Sequence, residues 1–480
     1  MKKLMFTALA LAMGVMSASA AKTAEELRVY INPGHGSWTA NDRPCTLVGH
    51  GAYSRTNTDT LSFFESNTNL RKGFGVLEKL REYGLKFEAS LNQTGERWQI
   101  GAARDMENNI VMSHVKCGPY HDDNGTENQL TGEGKTVPTD LYYYNRSLSE
   151  VAAEVEFNNF DMFISIHSNA ATEGTNTNYP LFIYRGWDNC TVPSDVTDFG
   201  KKDTQVESKD MASKCWPYHY SNEHHPWTYY SMTNMNIRGD ISFYGSSSLN
   251  STTGARSYLG VLHHNVPGFL VEGYFHTYQP SRHRAMNFDT DYLEGYAYAR
   301  GIADYFGLTK ESNGDIYGIV RDLHEKFSDA AYTANATSDD KYLPLNGANI
   351  TLKKDGATVA TYVTDNYYNG AFVFKDIEPG DYTIEITCEG YKAIDPVAVT
   401  VKAATTSYTK AQLESESYVP PTKVYENYPD PVAGGTGFHL FSQYEMGTAA
   451  ESDLLSAEVL AGKTIPPPDL SRRCGIHSRS

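Results

Sequence analysis

Phe160-Asp161-Met162-Phe163-Ile164-Ser165-Ile166-His167-Ser168-Asn169-Ala170 is the stretch from which the fold is read. Its apolar run is short, rich in Ile and Phe, and stops abruptly in small polar residues. No 3.6-residue period develops, so the run predicts a buried strand of an α/β sheet and not a helix. Ligands of open α/β sheets sit beyond the carboxyl ends of the strands. His167 occupies that position.

Two other segments repeat the pattern. Leu27-Arg28-Val29-Tyr30-Ile31 leads into Asn32-Pro33-Gly34-His35-Gly36, a β-rich run stopped by a Gly/Pro turn that carries a histidine. Pro267-Gly268-Phe269-Leu270-Val271 leads into Glu272-Gly273. Each residue taken singly is an ordinary polar residue at the end of a strand. Together they place two imidazoles and a carboxylate at one end of a sheet. A helix is expected from Ser62 to Tyr83, with Leu70, Phe74, Leu77 and Leu80 at three- and four-residue steps, Gly84 as its stop and Glu65 in its first turn.

Residues 92–139 and 171–237 read as long excursions, the first with modest helical potential around 100–113. The second contains a candidate strand at Leu181 to Tyr184 and an aromatic group formed by His219, His224, His225, Trp227, Tyr229 and Tyr230, expected to be a surface loop. An amphipathic helix over Leu141 to Phe157 feeds the central strand, and a closing helix runs from about Asp291 to Phe306. His263 and His264 are expected to be structural.

Lys2 and Lys3, the apolar segment Leu4 to Met16, and Ala18-Ser19-Ala20 give residues 1–20 the form of a secretory signal. Its apolar segment is short for a membrane span, and no later stretch is apolar enough for one. The expectation is an exported, soluble protein, periplasmic or extracellular. A net charge of −17 argues against nucleic acid, which requires a basic face. Six cysteines in an exported chain permit disulfides without fixing their pairing. Cys45, Cys117, Cys190 and Cys215 are the candidates, lying in polar, loop-like sequence.

The α/β part is expected over residues 21–308. From 313 to 402 the chain changes to short alternating runs separated by Gly, Asn, Asp and Pro, which suggests a small antiparallel β-sandwich. Residues 403–480 read as a linker around Pro420-Pro421 and a disordered tail.

Hydrolytic zinc sites use three N/O ligands and keep a fourth position open. Two histidines with one carboxylate are a familiar set. His35, His167 and Glu65 are the candidate ligands here, with Glu272 off the metal as the base.

The turn Asn32-Pro33-Gly34-His35-Gly36, Glu65 followed by Asn69-Leu70, the run from Phe163 to Ala170, and Phe269-Leu270-Val271-Glu272-Gly273 resemble, in order, the motifs of zinc-dependent N-acetylmuramoyl-L-alanine amidases of the type 3 class. The resemblance spans residues 28–306. It implies a mixed sheet flanked by helices and hydrolysis of the amide between N-acetylmuramic acid and L-Ala of peptidoglycan. It also implies Zn2+ held by His35, Glu65 and His167, with Glu272 as catalytic carboxylate. Glycan strand and stem peptide are then the partners, and Arg238 a candidate for pairing with a stem-peptide carboxylate. Two alternatives remain open at this point: a non-catalytic peptidoglycan-binding or scaffold protein, and a zinc peptidase acting on another amide. Gly318-Ile319-Val320, Asn346-Gly347-Ala348-Asn349-Ile350, Gly370-Ala371-Phe372, Pro379-Gly380-Asp381-Tyr382 and Gly390-Tyr391 resemble carboxypeptidase-regulatory-like domains, modules that rarely carry catalysis.

Overall fold

The computed structural model describes residues 22–35, 45–49, 62–89, 110–112, 148–158, 160–193, 203–223, 235–245 and 259–420. The signal segment, Cys117, Cys474, the His224–Tyr230 part of the aromatic group and the tail beyond residue 420 lie outside these. In chain order the α/β part runs β1 (Val29–Pro33), β2 (Cys45–Thr46), β3 (Ser62–Phe63), α1 (Glu65–Glu82), β4 (Phe87–Ala89), β5 (Ile110–Met112), α2 (Leu148–Phe157), β6 (Met162–Asn169), β7 (Leu181–Tyr184), α3 (Asp203–Glu223), β8 (Ile237–Gly239), α4 (Asp240–Tyr244), β9 (Gly268–Phe275), α5 (Gln279–Arg284) and α6 (Phe288–Phe306). Among the described residues, seven of these strands form one mixed sheet in the order β4-β5-β1-β6-β9-β7-β8. All neighbours are parallel except β7 and β9.

The alternation of side chains along each strand decides what covers each face. Val29, Ile31, Ile164, Ile166, Phe269 and Val271 point to one face. There they bury against Leu70, Phe74 and Leu77 of α1, Trp216 of α3, and Leu293 and Ile302 of α6. Tyr30, Phe163 and Leu270 point to the other, against Val151 and Val155 of α2. Full burial of each large apolar side chain stabilises by about 1.5–3 kcal/mol. The expected mixed sheet flanked by helices is the one observed.

Three elements differ from expectation. α1 begins at Glu65 and not Ser62, because Ser62 and Phe63 pair antiparallel with Thr46 and Cys45 as a small second sheet. Residues 110–112 are a strand, β5, where helical potential was read. The excursion at 171–237 contains a 21-residue helix, α3, with Met211, Ala212, Cys215, Trp216, His219 and Tyr220 buried at helical spacing. Pro217 and the run of polar-looking aromatics mask that period. Cys215 is thus a buried core thiol, and Cys190, Cys215 and Cys388 carry no disulfide.

The sandwich comprises β10 (Gly314–Lys326), β11 (Tyr342–Pro344), β12 (Asn349–Lys354), β13 (Ala357–Val363), β14 (Ala371–Ile377), β15 (Gly380–Thr387), β16 (Val397–Val401) and β17 (Thr406–Leu413). One sheet has the order β11-β10-β14 with β17 added parallel to β10, and the other the order β13-β12-β15-β16. Ile316, Val320, Ile350, Phe372, Ile384 and Leu413 fill the space between them. The last strand lies beyond the expected end at 402, since five of its eight residues are polar yet it completes the ladder along β10. Tyr317, Ile319, Ala371 and Val373 join the helix-side core of the α/β part, and the chain through Glu416 forms one compact unit. Among the described residues no helix is long and apolar enough to cross a membrane.

Candidate metal centre

Four segments deliver the candidate residues. β1 ends at Pro33, which has no N–H for the ladder, and Gly34 donates its own N–H to Ile166 O at 2.8 Å. This ties the β1 turn to the end of β6. A Cβ on Gly34 would lie 2.1 Å from the His167 ring, so only glycine lets the turn pass over that imidazole. His35 follows at φ 63°, a left-handed conformation that costs a non-glycine residue of order 1–3 kcal/mol and is concentrated at functional sites. Ser165 of β6 donates its hydroxyl to Asn32 Oδ1 at 2.8 Å, locking the two strand ends side by side.

Glu65 opens α1 with its side chain 1% exposed. Its Oε2 is 3.2 Å from His35 Nε2 and its Oε1 3.4 Å from His167 Nδ1. The Ser168 N–H donates to Oε1 at 2.9 Å, and Asn69 Nδ2 lies 3.4 Å from the same oxygen and 3.2 Å from Gly34 O. The two imidazole rings meet edge to face, their centroids 4.9 Å apart. One donor atom from each of His35, Glu65 and His167 lies within 4.8 Å of the others. Glu272 is the register partner of His167 on the adjacent parallel strand, so the pleat sends both side chains to the same side.

Burial by itself would push the Glu65 carboxyl up. The opposing charge of His35, the hydrogen bond from His167 and the charge of His276 outweigh it and hold the group far below the usual carboxylate range. Burial would likewise depress His167, but the hydrogen bond to Glu65 and the charges of Glu272 and Glu65 raise it. A buried anion of this kind requires a compensating cation. Two imidazole nitrogens and one carboxylate oxygen, each within 4.8 Å of the others, are a donor set suited to a divalent ion of the zinc type. The residues present therefore fit a metal.

Two histidines acquire roles that were not read from the sequence. His276, 2% exposed, places Nδ1 3.0 Å from Ser168 Oγ and 3.9 Å from Glu65 Oε2, and stacks on Phe63. The apolar run of β9 ends at Val271, whereas the strand continues through Glu272 to Phe275; that four-residue overrun carries His276 to the site. His219, expected on a surface loop, is fully buried in α3 and its Nε2–H donates to Gly273 O at 2.9 Å. Burial takes its pKa down to about 3, so it stays neutral behind the Glu272 strand. His264 is buried against Phe163 and is also depressed to about 3 by burial. Arg238 is paired with Asp188 at 2.9 Å within the fold.

No curated protein matches this chain. Among solved structures, an N-acetylmuramoyl-L-alanine amidase from Clostridium difficile 630 is 16% identical with a TM-score of 0.31, over 58% of this chain and 97% of its own. The catalytic domain of an N-acetylmuramoyl-L-alanine amidase from Bacillus (Paenibacillus) polymyxa var. colistinus is 15% identical with a TM-score of 0.32, over 59% of this chain and 99% of its own. An N-acetylmuramyl-L-alanine amidase from Mycobacterium smegmatis is 15% identical with a TM-score of 0.32, over 60% of this chain and 99% of its own. Residues 337–414 match the carboxypeptidase regulatory-like domain family, the likeness read from the turns and strands of the sandwich.

Proposed function

We propose that this chain is an exported, zinc-dependent N-acetylmuramoyl-L-alanine amidase that hydrolyses the amide between N-acetylmuramic acid and L-Ala in peptidoglycan. The observation that carries the proposal is the convergence of His35, Glu65 and His167, with Glu272 in register beside His167. The order of the sequence motifs supports the choice of substrate, and the signal-like residues 1–20 support delivery to the compartment where peptidoglycan lies. The net charge of −17 makes nucleic acid a poor partner.

His35, Glu65 and His167 would hold the ion. Bound there, zinc supplies Lewis acidity toward a water and the amide carbonyl. Glu272 supplies the proton chemistry. Its carboxylate accepts a proton from the attacking water and returns it to the departing amine nitrogen of L-Ala, which would otherwise leave as an unstable anion. Ser168 and Asn69 keep the Glu65 carboxylate turned toward the two imidazoles.

Digestion of purified peptidoglycan, followed by mass spectrometry of the products, tests the assignment. The expected result is new free L-Ala amino termini and intact lactyl-bearing glycan strands. Release of other amino termini would mean a zinc peptidase, and binding with no release would mean a scaffold.

A further inference from the structure

The appended sandwich touches the α/β part where the site is assembled. Helix α5, Gln279–Arg284, is buried throughout, and three successive residues reach in three directions from it. Arg282 donates from Nε to His276 O at 2.5 Å, from Nη1 to Thr46 O at 2.8 Å, and from Nη2 to both Glu173 carboxylate oxygens at 2.8 Å. His283 donates from Nδ1 to Tyr367 O of the sandwich at 2.6 Å and accepts at Nε2 from the Val48 N–H at 3.3 Å. Arg284 pairs at 2.9 Å with Asp340, a fully buried sandwich carboxylate that Arg321 also contacts at 2.7 Å.

β2 and β3 are only two residues each, too short to hold a register by themselves. Their partners supply what they lack. The Tyr367 side chain packs on the cluster of Leu47, Phe63, Tyr274, Ala285 and Met286, and Gly49 passes so close to the Tyr368 ring that a Cβ would lie 2.5 Å from it. Phe63 in turn stacks on His276 at 5.3 Å and is two residues from Glu65. The small sheet that delivers Glu65 is therefore held by contacts to both α5 and a sandwich loop, which also bond to each other.

We infer that the sandwich loop around Tyr367, clamped by His283, is part of the machinery that positions Glu65 for metal binding. This rests on the metal reading above and deepens it: the regulatory-like domain is a positioning element of the catalytic unit, not a separate module. Tyr367 and His283 are positioning residues, acting through Phe63 and His276.

The test is Co2+ binding by the full chain, measured by competition with a chelating dye and by the visible absorption of the bound ion. Loss of an outer-shell partner of a metal ligand costs roughly 10–100-fold in affinity. Tyr367→Ala and His283→Ala should each bind Co2+ about ten-fold more weakly, at the low end of that range, with an altered absorption band. Tyr367→Phe, which keeps the ring, should restore both. Circular dichroism and gel filtration identify the folded fraction on which the values are read. Folded Tyr367→Ala and His283→Ala proteins with wild-type affinity and spectrum overturn the inference, even if their melting temperatures fall. A wild-type chain with no tight Co2+ site overturns the metal reading itself, an outcome distinguishable from the first.

Discussion

Glu272→Gln is expected to remove about 10²–10⁴ of the turnover on peptidoglycan while leaving bound zinc at the wild-type level, the span typical of a lost general acid–base group. Glutamine keeps the size of the side chain and discards only its ability to take a proton. Glu272 sits on β9 as the register partner of His167, and its negative charge is felt there as one of the causes that raise the His167 pKa. Its surroundings are rigid: Gly273 is held from behind by His219, and a Cβ at Gly273 would come within 2.5 Å of Glu294 Oε1. Zinc content and turnover measured on the same preparation separate the two roles. A zinc-loaded Glu272→Gln protein that retains more than about a tenth of the activity removes Glu272 from the chemistry.

The second large effect is expected at Glu65. Glu65→Ala should weaken zinc binding by more than about 100-fold, since loss of an outer-shell partner alone costs 10–100-fold and Glu65 would be a direct ligand. Activity should vanish with the metal. Glu65 faces His35 at 3.2 Å, His167 at 3.4 Å and His276 at 3.9 Å, so its removal takes away the one carboxylate that all three imidazoles share. Isothermal titration with zinc checks the expectation. Wild-type affinity in the variant would mean that the carboxylate balances the histidines without ligating anything.

The strand ends are legible because burial on both faces leaves a simple mark: a dense apolar run, then a single His or Glu followed by Ser or Gly. Phe163 to Ile166 and Phe269 to Val271 show it, and with them His167 and Glu272. What cannot be read locally is which strand lies beside which. The pairing of β6 with β9 joins residues about one hundred positions apart, and it is this pairing that makes His167 and Glu272 neighbours. The start of α1 differs from the expected Ser62 for the same reason: Ser62 and Phe63 are drawn into a strand by Thr46 and Cys45, a contact that helical spacing does not reveal. The period of α3 is hidden in the sequence because its buried stripe includes Cys215 and His219, although 211, 215 and 219 fall at four-residue steps. His276 lies beyond the apolar run Phe269 to Val271, and nothing in that run shows that β9 continues past Glu272 to Phe275.

The sandwich was visible as alternating runs with turn residues, but its attachment was not. Arg284, Arg321 and Asp340 meet from three separate segments in a fully buried ionic group. Removing one partner from such a group costs about 3–5 kcal/mol, because it strands a charge away from water. The two parts are therefore expected to unfold together.

The central claim is that His35, Glu65 and His167 share one divalent ion. Anomalous scattering on either side of the zinc absorption edge, from crystals of the full chain grown with zinc, tests it most directly. The account predicts one strong peak bounded by His35, Glu65 and His167, with Glu272 beside it and outside bonding distance. A zinc peak elsewhere, or no peak with the two imidazoles turned apart, would contradict it.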